Sequence, residues 1–438
     1  MILKRVLFYR IALSLMFFII FPYFAQASEK LELPSSPNPV GSGARALGMG
    51  GAFIAVADDA TSASWNPGGL IQVKRPEYSV VLSSFHRIED NAFGKYPEAS
   101  GDQNVSDVNL NYASLTYPFD FLKRNMAVSL NYQHLFDFSR EWDFSYSYQS
   151  SRLKTHRTED FEREGQLYAL GLAYCIQVTP KFSFGVTLNL WNDWFNDNEW
   201  HQKEYRRDQD THIASGDVTE TEYTWRDEYS FDGINANIGF LWNITDHWTV
   251  GAVLKTPFTG DLHHKSTFYS SLSQELQVSS GDAELDMPMS YGIGVAWHPT
   301  DQLTVSADIY RTEWDDFILE DADGSRTSMV SGLAESESDV DPTCQVRAGA
   351  EYLFLFPEKG YVVPLRGGVF YDPAPAEGSS DDFYGFSLGT GFAKSPYVFD
   401  IAYQYRFSWD VNEYLLPSLD FSQDVDEHTL YVSFIYHF

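Results

Sequence analysis

Three patterns in this 438-residue chain have the residue types and spacing of chemical sites. Residues 385–389 read Gly-Phe-Ser-Leu-Gly, which is the G-x-S-x-G pattern of a serine nucleophile elbow. That elbow needs a sharp turn from a strand into a helix, whereas Ser387 lies inside a segment that alternates polar and apolar residues. We therefore interpret this pattern as coincidence. A lipase whose triad is assembled from separate strands stays open as an alternative.

The other two patterns are acidic and glycine-rich. Residues 321–324 read Asp-Ala-Asp-Gly, which begins like a calcium loop but lacks the remaining ligands of that loop. The glycines of residues 41–51 follow no strand, and no Gly-Lys-Ser/Thr ending of a phosphate-binding loop comes after them. The sequence therefore predicts no metal site, no cofactor and no catalytic residue.

Charge and composition exclude further classes of protein. The formal net charge is −31, so the chain is a poor candidate for binding the phosphates of a nucleic acid. Aromatic residues make up 16% of the chain, whereas disordered proteins are poor in aromatics. Two cysteines, Cys175 and Cys344, are too few for a disulfide scaffold. Each lies in an apolar run, so we expect buried free thiols, and a long-range disulfide stays open.

The beginning of the chain resembles an export signal. Lys4, Arg5 and Arg10 precede the apolar residues 11–24, and Ala-Gln-Ala follows at residues 25–27. This is the order of a secretory signal peptide, with cleavage expected before Ser28. The apolar run is shorter than the ~20 residues of a membrane-spanning helix, so an uncleaved anchor is disfavoured. We predict a signal peptide at residues 1–27 and an exported chain.

Alternating polarity recurs along the rest of the chain. In residues 182–190, for example, Phe, Phe, Val, Leu and Leu alternate with Ser, Gly, Thr and Asn. Such segments of about ten residues, separated by turns, are typical of a transmembrane β-barrel. A soluble β-sandwich would need turns every ~8–12 residues, and these segments often exceed that spacing. The sequence predicts fourteen strands, near residues 76–86, 107–119, 124–137, 161–178, 181–195, 228–243, 247–262, 284–298, 302–319, 342–355, 361–371, 382–393, 396–408 and 426–438.

Connections between these strands alternate between short turns and long polar loops. The long loops are predicted at residues 87–106, 138–160, 196–227, 263–283, 320–341 and 409–425, and they carry most of the acid clusters. Short periplasmic turns and long outer loops are the topology of an outer-membrane barrel. We expect the acidic loops to be solvated and to contact lipopolysaccharide through divalent cations.

The last predicted strand is aromatic and ends on Phe438. An unpaired aromatic edge would be adhesive, whereas the last strand of a closed barrel pairs with the first. We expect its partner near residues 78–85. A terminal Phe on such a strand also resembles the signal that the barrel-assembly machinery recognises. The predicted location is the outer membrane of a Gram-negative-type bacterium, in contact with membrane lipid.

Residues 28–75 differ from the predicted barrel at residues 76–438. Small residues crowd this segment, with glycines at Gly41, Gly43, Gly48, Gly50 and Gly51. Glycines at this density allow tight turns and close packing. Because a barrel of fourteen strands is too wide to fill its own interior, we predict that residues 28–75 form a plug, or hatch, in the lumen.

This segment resembles the hatch of the FadL-type long-chain fatty acid transporters. The similarity lies in residues 43–53, Gly-Ala-Arg-Ala-Leu-Gly-Met-Gly-Gly-Ala-Phe, and in residues 65–70, Trp-Asn-Pro-Gly-Gly-Leu. It continues through residues 254–258, 285–292, 308–314, 347–352, 364–368 and 371–372, and so covers nearly the whole predicted mature chain. The resemblance implies a fourteen-stranded barrel, plugged by a hatch, that takes up hydrophobic molecules such as fatty acids or hydrocarbons. PorV-like barrels share the N-terminal motif, so an alternative role with secretion-system proteins stays open.

The resemblance also directs attention to particular residues. Family members carry an Asn-Pro-Ala turn in the hatch, and this chain has Asn66, Pro67 and Gly68 at that position. Some members have a kinked third strand that opens the barrel wall, but residues 124–137 contain no glycine to predict a kink. For binding a hydrophobic ligand, the candidates are the cations Arg45 and Lys255 and the aromatic residues Phe53 and Trp65. A buried ion pair for each cation, and hatch packing for each aromatic, are the alternative roles. We expect uptake to be passive.

Overall fold

The structure is a computed structural model that describes residues 41–192 and 198–438. The predicted signal peptide and residues 28–40 of the predicted hatch lie outside the described residues. Two short helices, α1 (Ala44–Gly48) and α2 (Ser62–Trp65), and a 3₁₀ helix (Pro67–Gln72) precede the first strand. Within the described ranges, no helix has the length and apolar character needed to cross a bilayer.

All larger elements are strands. They are β1 (Glu77–Phe93), β2 (Gly101–Phe121), β3 (Arg124–Asp137), β4 (Arg140–Gln149), β5 (Leu153–Thr179), β6 (Phe182–Trp191), β7 (Glu199–His212), β8 (Val218–Asn243), β9 (Trp248–Lys255), β10 (Phe258–Ser270), β11 (Leu276–Met287), β12 (Ser290–Thr300), β13 (Leu303–Thr312), β14 (Ile318–Asp321), β15 (Arg326–Ser328), β16 (Thr343–Phe356), β17 (Tyr361–Tyr371), β18 (Tyr384–Lys394), β19 (Tyr397–Val411) and β20 (Phe421–His437). Short 3₁₀ turns follow several of them: Pro97–Ala99, Trp314–Asp316, Pro357–Lys359 and Pro417–Leu419.

Fourteen of these strands close into an antiparallel barrel. The ring runs β1-β2-β3-β5-β6-β8-β9-β12-β13-β16-β17-β18-β19-β20 and returns to β1. The closing ladder joins β1 to β20 from Glu77↔His437 to Phe93↔Phe421. The predicted strand number, and the predicted pairing of the last strand with the first, are confirmed. Closure of this kind leaves no strand edge facing lipid.

Alternation along each strand separates an apolar outer face from an inner face. In β18, for example, Phe386 and Leu388 are 41% and 59% exposed, whereas Ser387 between them is 1% exposed. Large apolar side chains such as Leu130, Leu188, Ile293 and Val369 are exposed in the same way on other strands. An outward apolar belt is the surface that a barrel presents to lipid.

Beyond the barrel, several strands continue as a second sheet. It consists of β4, the first part of β5, β7, the first part of β8, β10, β11, β14 and β15, paired in that order. The prediction of long loops at 138–160, 196–227 and 263–283 is therefore wrong, and so is most of the loop predicted at 87–106, where β1 and β2 stay paired. These residues are too polar to face lipid, but a backbone ladder needs only a paired neighbour and continues into solvent. We call this side of the barrel the hairpin end, and the opposite side the short-turn end.

One place in the barrel wall lacks a continuous ladder. Pairing between β2 and β3 starts at Phe121↔Arg124 and stops at Tyr112↔Gln133. In the described structure, residues 101–110 of β2 pair with β1 alone, and Asn111 is skipped in that register. On its other side, β3 has an irregular register against β5 between His134 and Phe136. A bulge interrupts a ladder without requiring glycine, which explains why the sequence of the third strand did not predict this break.

Candidate functional site

Residues 41–73, which we call the N-terminal segment, lie inside the barrel. All of them are buried except Arg45, Asp58, Ile71 and Gln72, which are half-buried. The segment bonds to wall strands on every side of the ring, because its backbone groups need partners away from water. The wall side chains and their segment partners are Tyr112 Oη with Ala60 O (2.7 Å), Thr187 Oγ1 with Ala63 O (3.0 Å), Ser306 Oγ with Ala52 O (2.6 Å), Arg347 Nη1 with Gly50 O (3.2 Å) and Ser433 Oγ with Ala44 N (2.8 Å).

Wall glycines receive the backbone of this segment. A Cβ atom built on Gly349 or Gly368 would lie within 3.0 Å of the backbone of Met49 or Gly50. Gly185 and Gly251 face the backbone of Pro67 and Ile54 in the same way, whereas Gly239 faces the side chains of Asn66 and Pro67. A Cβ on Gly294 would lie 3.1 Å from Ala55 N. We call these glycines and the polar wall residues that bond the segment the seat. The seat glycines were not predicted from the sequence, although glycine on the polar face of a strand often marks the close approach of another backbone.

Asn66, Pro67 and Gly68 form a turn held against β6 and β8. The Asn66 side-chain amide donates to Ile54 O at 2.8 Å and to Phe240 O at 2.9 Å, and its Oδ1 accepts from Gly68 N at 3.0 Å. A Cβ on residue 68 would lie 2.7 Å from the Cα atom of Phe240. Glycine at this position therefore matches the close approach of the wall to the turn.

The five predicted hatch glycines are used in two ways. Gly43, Gly50 and Gly51 have φ values of 113°, 69° and 74°, a backbone conformation that residues with a side chain rarely adopt. Gly41 and Gly48 are close approaches instead, to the ring of Trp65 and to Gly389 of β18 respectively. The structure places all five in the seat region.

Arg45 belongs to a network of ion pairs between the segment and the wall. Its Nε and Nη2 atoms donate to Glu351 at 3.0 and 2.8 Å, and its Nη1 atom pairs with Asp58. Glu351 also accepts from Arg366 Nε at 2.6 Å, and Arg366 Nη1 pairs with Asp400 at 2.6 Å. Because Glu351 is buried and receives two guanidinium groups, this network ties the segment to β16 and β17.

Phe53 and Trp65 pack within the segment rather than facing open space. Both are fully buried, and their rings meet edge to face at 5.9 Å. The indole of Trp65 donates to Ser42 O at 2.6 Å. Arg45 lies 5.5 Å from the centre of the Phe53 ring. The structure thus groups three of the four candidate ligand-binding residues in the seat region.

Ser387, the central residue of the G-x-S-x-G pattern, is also part of the seat. Its hydroxyl donates to Gly48 O at 3.1 Å and accepts from Gly50 N at 2.8 Å. Ser387 lies mid-strand in β18, without the strand-to-helix turn of a nucleophile elbow. Its two partners are backbone groups of the N-terminal segment, so the residue serves to anchor that segment.

A cluster of apolar side chains fills the interior at the hairpin end. We call it the chamber, and its buried members are Leu135, Phe138, Leu167, Ala169, Trp191, Trp200, Tyr229, Phe231, Leu262, Leu285, Met287, Trp314, Phe317, Leu319, Met329, Val330 and Val340. Aromatic rings pack closely in it: Trp191 lies 5.5 Å from Phe258, and Trp200 stacks on Tyr229 at 4.8 Å. Such an apolar interior suits a hydrophobic ligand.

A narrow cavity of about 50 Å³ lies between the chamber and the seat. Apolar side chains of Leu135, Trp191, Phe258 and Met287 form one side of it, and Lys255 reaches it from the end of β9. Lys255 Nζ is 5.9 Å from the ring centre of Tyr310. Lys255 is thus the candidate residue that adjoins both the cavity and the apolar chamber.

Amide side chains form the polar side of the same cavity. Asn189 Nδ2 donates to Asn235 Oδ1 at 3.0 Å and to Asn237 Oδ1 at 3.1 Å, and Trp191 Nε1 donates to Asn235 at 3.0 Å. Gln133 of β3 lines the cavity beside them. This belt of neutral amides provides hydrogen bonds without adding net charge.

The remaining sequence candidates lie outside the chamber. Cys175 is buried, where its thiol donates to Gly68 O at 3.3 Å, whereas Cys344 is exposed; both are free, so the expectation that both are buried is wrong for Cys344. Glu320 and Glu335 of the acidic loop pair with Arg326. Among the described residues, no group of three or more His, Cys, Asp or Glu side chains is arranged to hold a metal ion.

Solved structures share this fold. A FadL homologue from Pseudomonas aeruginosa is 15% identical, with a TM-score of 0.63 over 93% of this chain and 100% of its own. The toluene transporter TodX of P. putida is 15% identical, with a TM-score of 0.57 over 92% and 99%. The CymD monoaromatic hydrocarbon channel is 18% identical, with a TM-score of 0.53 over 92% and 98%. No protein of curated function matches the chain by sequence.

A family model agrees with these folds and covers nearly all of the chain. The model describes the outer membrane protein transport proteins OMPP1, FadL and TodX, and it matches residues 39–438. The match includes the N-terminal segment, the seat and every barrel strand. The chain therefore belongs to the OMPP1/FadL/TodX family of outer membrane transport proteins.

Proposed function

We propose that this outer-membrane barrel takes up hydrophobic molecules by passive diffusion, with the chamber as the binding site and the N-terminal segment as the plug. The observation that carries the proposal is an aromatic interior at the hairpin end, directly above a segment that bonds to the wall on every side. A hydrophobic molecule outside the cell is held back by the polar outer leaflet. An apolar chamber on that side gives it a favourable intermediate position.

The energy of binding would come from burial of apolar surface. At roughly 25 cal/mol per Å², a ligand that buries about 300 Å² gains about 7 kcal/mol before its loss of motional freedom is counted. The cavity of about 50 Å³ is far smaller than the ~300 Å³ of a drug-sized site, so chamber side chains must move when a ligand enters. Met287 is suited to this, because methionine is flexible and adapts to irregular shapes.

Lys255 is our choice for contact with a charged headgroup. A carboxylate would form a charge-assisted hydrogen bond with its ammonium group. Lys255 lines the cavity beside the chamber, whereas Arg45, the other predicted cation, does not and pairs with Asp58 and Glu351. A fatty acid would use both the chamber and Lys255, whereas a monoaromatic hydrocarbon, for which the similar CymD channel is named, would use the chamber alone.

The break between β2 and β3 offers a way out of the chamber. Leu135, the residue skipped in the register of β3 against β5, lines both the cavity and the chamber. Residues 101–111 of β2 lie along the other side of the break. We propose that a ligand leaves sideways here, so that the seat need not open in each cycle.

Native mass spectrometry of the purified barrel tests the choice of ligand. Bound acyl chains or aromatic hydrocarbons that are lost when Trp191 is replaced by alanine would support the chamber. Absence of any bound hydrophobic molecule, together with no binding of added fatty acid or toluene, would contradict it.

Planar-bilayer recording tests the plug. Deletion of residues 41–70 should convert a closed barrel into a conducting pore, because the segment occupies the lumen at the short-turn end. Unchanged conductance in a folded deletion variant would rule out the plug.

A further inference from the structure

One side of the chamber is formed by a piece of chain that lies outside the barrel wall. Residues 313–342 connect β13 to β16 and contain the short strands β14 and β15, and we call them the cap. Six of the seventeen buried chamber side chains come from the cap: Trp314, Phe317, Leu319, Met329, Val330 and Val340. Residues 322–325 and 333–337 of the cap are exposed instead. The cap therefore has one face in the chamber and another in solvent.

Most of the remaining chamber wall is continuous sheet. The strands β5, β7, β8, β10 and β11 pair in turn through long antiparallel ladders. The cap joins this sheet through four residue pairs only, from Ala283↔Asp321 to Asp286↔Ile318. Each hydrogen bond contributes about 1 kcal/mol, so separation of two long strands costs far more than separation of the cap from β11. Along this sheet, the cap is the part of the chamber wall that opens at the lowest cost.

Both ends of the cap leave the barrel at the same place. Thr312 of β13 is paired in register with Thr343 of β16, so the first and last residues of the cap start side by side. The indole of Trp314 donates to Thr343 Oγ1 at 2.9 Å and fixes this base. A hinge needs only a few residues at the ends of elements to change their backbone angles. The cap can therefore swing about its base without any change in the barrel ladder.

Polar contacts hold the cap at two sides. Beside β11, Arg326 of the cap donates to Asp286 Oδ2 at 3.1 Å and to Glu335 Oε2 at 2.7 Å. On the opposite side, Asp339 N donates to Glu377 Oε1 at 3.1 Å. The side chains of Arg326, Asp286 and Glu335 are 36%, 31% and 48% exposed, and ion pairs this exposed contribute only about 0–1 kcal/mol. These contacts are weak enough to break and form again during uptake.

We propose that the cap is an entry gate, which swings about its base to admit a hydrophobic molecule from outside, with the ion pair between Arg326 and Asp286 as its latch. The closed chamber has a cavity of only about 50 Å³ beside it, so a ligand cannot enter while the cap is in place. An open cap exposes apolar side chains of the chamber to water, and their burial around the ligand drives closure. This inference rests on the proposed uptake and assigns the point of entry, whereas the break between β2 and β3 is the proposed exit.

A reversible cross-link between the cap and β11 tests the gate. Glu284 and Glu320 are paired in the ladder of β11 and β14, where opposite Cα atoms lie about 4.5–5.5 Å apart, within reach of a disulfide. In a background with Cys175→Ser and Cys344→Ser, the double variant Glu284→Cys with Glu320→Cys locks the cap when oxidised and frees it when reduced.

A matched control cross-link lies in the same row of the sheet. Asp232 and Asp261 pair with each other, and Asp261 pairs with Glu284 on its other side. The double variant Asp232→Cys with Asp261→Cys joins β8 to β10, where no movement is proposed. It therefore reports any effect of a disulfide on the sheet that is unrelated to the cap.

The measured quantity is the rate at which the neutral apolar fluorophore 1-N-phenylnaphthylamine enters the barrel in lipid nanodiscs, after subtraction of the signal from empty nanodiscs. We expect entry to be at least tenfold slower in the oxidised than in the reduced cap variant, and equal in the two redox states of the control. Equal rates in a cap variant whose disulfide is verified by intact mass would overturn the gate while the proposed uptake stands. Absence of fluorophore binding in the unmodified protein would instead remove the proposed uptake, and the gate with it.

Salt dependence tests the latch separately. Arg326→Gln removes the ion pair with Asp286, so entry of the fluorophore should become several-fold faster. In the unmodified protein, entry should speed up with salt because salt screens exposed ion pairs, and this dependence should disappear in Arg326→Gln. Arg226→Gln is the control, since Arg226 pairs with Glu228 at 2.9 Å on the hairpin sheet, outside the cap. Unchanged entry in Arg326→Gln, or equal acceleration in the control, would overturn the latch.

Discussion

The seat and the chamber lie in the same barrel, but their inward-facing side chains make different kinds of contact. In the seat, glycines and small polar side chains let the N-terminal backbone approach closely, and charged groups such as Arg45, Glu351 and Arg366 find partners. In the chamber, large apolar side chains pack on each other around a narrow cavity. A seat of this kind specifies one occupant, because each polar group needs its partner. A chamber of apolar side chains accepts many occupants of similar volume.

Substitutions in the two regions should therefore have different consequences. Removing a polar partner in the seat leaves a buried group unsatisfied, which costs about 1–3 kcal/mol. Removing an apolar group in the chamber weakens ligand binding but leaves no polar group stranded. Seat substitutions should therefore change sealing, and chamber substitutions should change affinity. Each prediction below tests that division.

The largest effect is expected for Gly368→Val in the seat. Its Cβ would lie within 3.0 Å of the backbone of Met49 and Gly50, and overpacking of this kind costs about 1–3 kcal/mol or more. We expect the segment to leave its position, with bilayer conductance at least tenfold higher. Gly367→Val is the matched control, because a Cβ there has no neighbour nearer than 3.8 Å. Equal conductance in the two variants would contradict a seat built on glycine.

Trp191→Ala should affect the chamber alone. Its indole is 3% exposed and contacts Phe231 and Phe258. Loss of this surface should weaken binding of an apolar ligand by about 1.5–3 kcal/mol, or roughly 10- to 100-fold. Isothermal titration calorimetry measures this change without relying on tryptophan fluorescence. Trp242→Ala, a lipid-facing tryptophan that is 47% exposed, should leave affinity unchanged. A rise in conductance with Trp191→Ala would mean that chamber and seat are not separable.

Lys255→Met should distinguish charged from neutral ligands. A charge-assisted hydrogen bond contributes about 1.5 kcal/mol, so fatty acid affinity should fall roughly tenfold while affinity for a neutral hydrocarbon stays constant. Lys265→Met, on a hairpin where Lys265 pairs with Glu228 at 2.8 Å, serves as the control. An equal loss of affinity for both ligands would show that Lys255 shapes the cavity and does not bind the charged headgroup.

The smallest effect is expected for Ser387→Ala. The change removes the side-chain partners of Gly48 O and Gly50 N, at about 0.5 kcal/mol for each hydrogen bond. Opening of the segment should become several-fold more frequent, as measured by the rate of limited proteolysis within residues 41–73. Leu388→Ala, on the lipid-facing side of the same strand, should leave that rate unchanged. A rate unaffected by Ser387→Ala would mean that this serine does not hold the segment.

Much of the fold follows from local pattern. All fourteen predicted barrel strands are present, since period-two alternation directly reports which side chains face lipid. Strand ends were less predictable. Residues 199–212 are a strand although they are polar, because a ladder in solvent imposes no apolar face. Residues 140–149 do alternate, and Trp142, Phe144 and Tyr146 are buried on one face of that strand, so this signal was present in the sequence but was assigned to a loop.

The site was predicted less completely than the fold. Local patterns identified Gly50, Asn66 and Ser387 as candidates. The pattern around Ser387 is that of an enzyme, however, and only its hydrogen bonds to Gly48 and Gly50 show a structural role. The ion pair between Arg45 and Glu351 joins residues separated by 306 positions along the chain, so no local sequence pattern can predict it. The ladder between β2 and β3 likewise stops at Tyr112 and Gln133, next to register shifts of β2 against β1 and of β3 against β5 that have no glycine signature.

By itself, the sequence determined the alternation of lipid-facing and inward-facing residues, the number of strands and the distinct character of the glycine-rich segment, because each of these is encoded in neighbouring residues. Only the tertiary structure decided which inward groups meet. Closure of the ring brought Gly349 and Gly368 against Met49 and Gly50, and Lys255 beside the chamber. These pairings depend on strand register and ring closure, which bring together residues far apart in the chain.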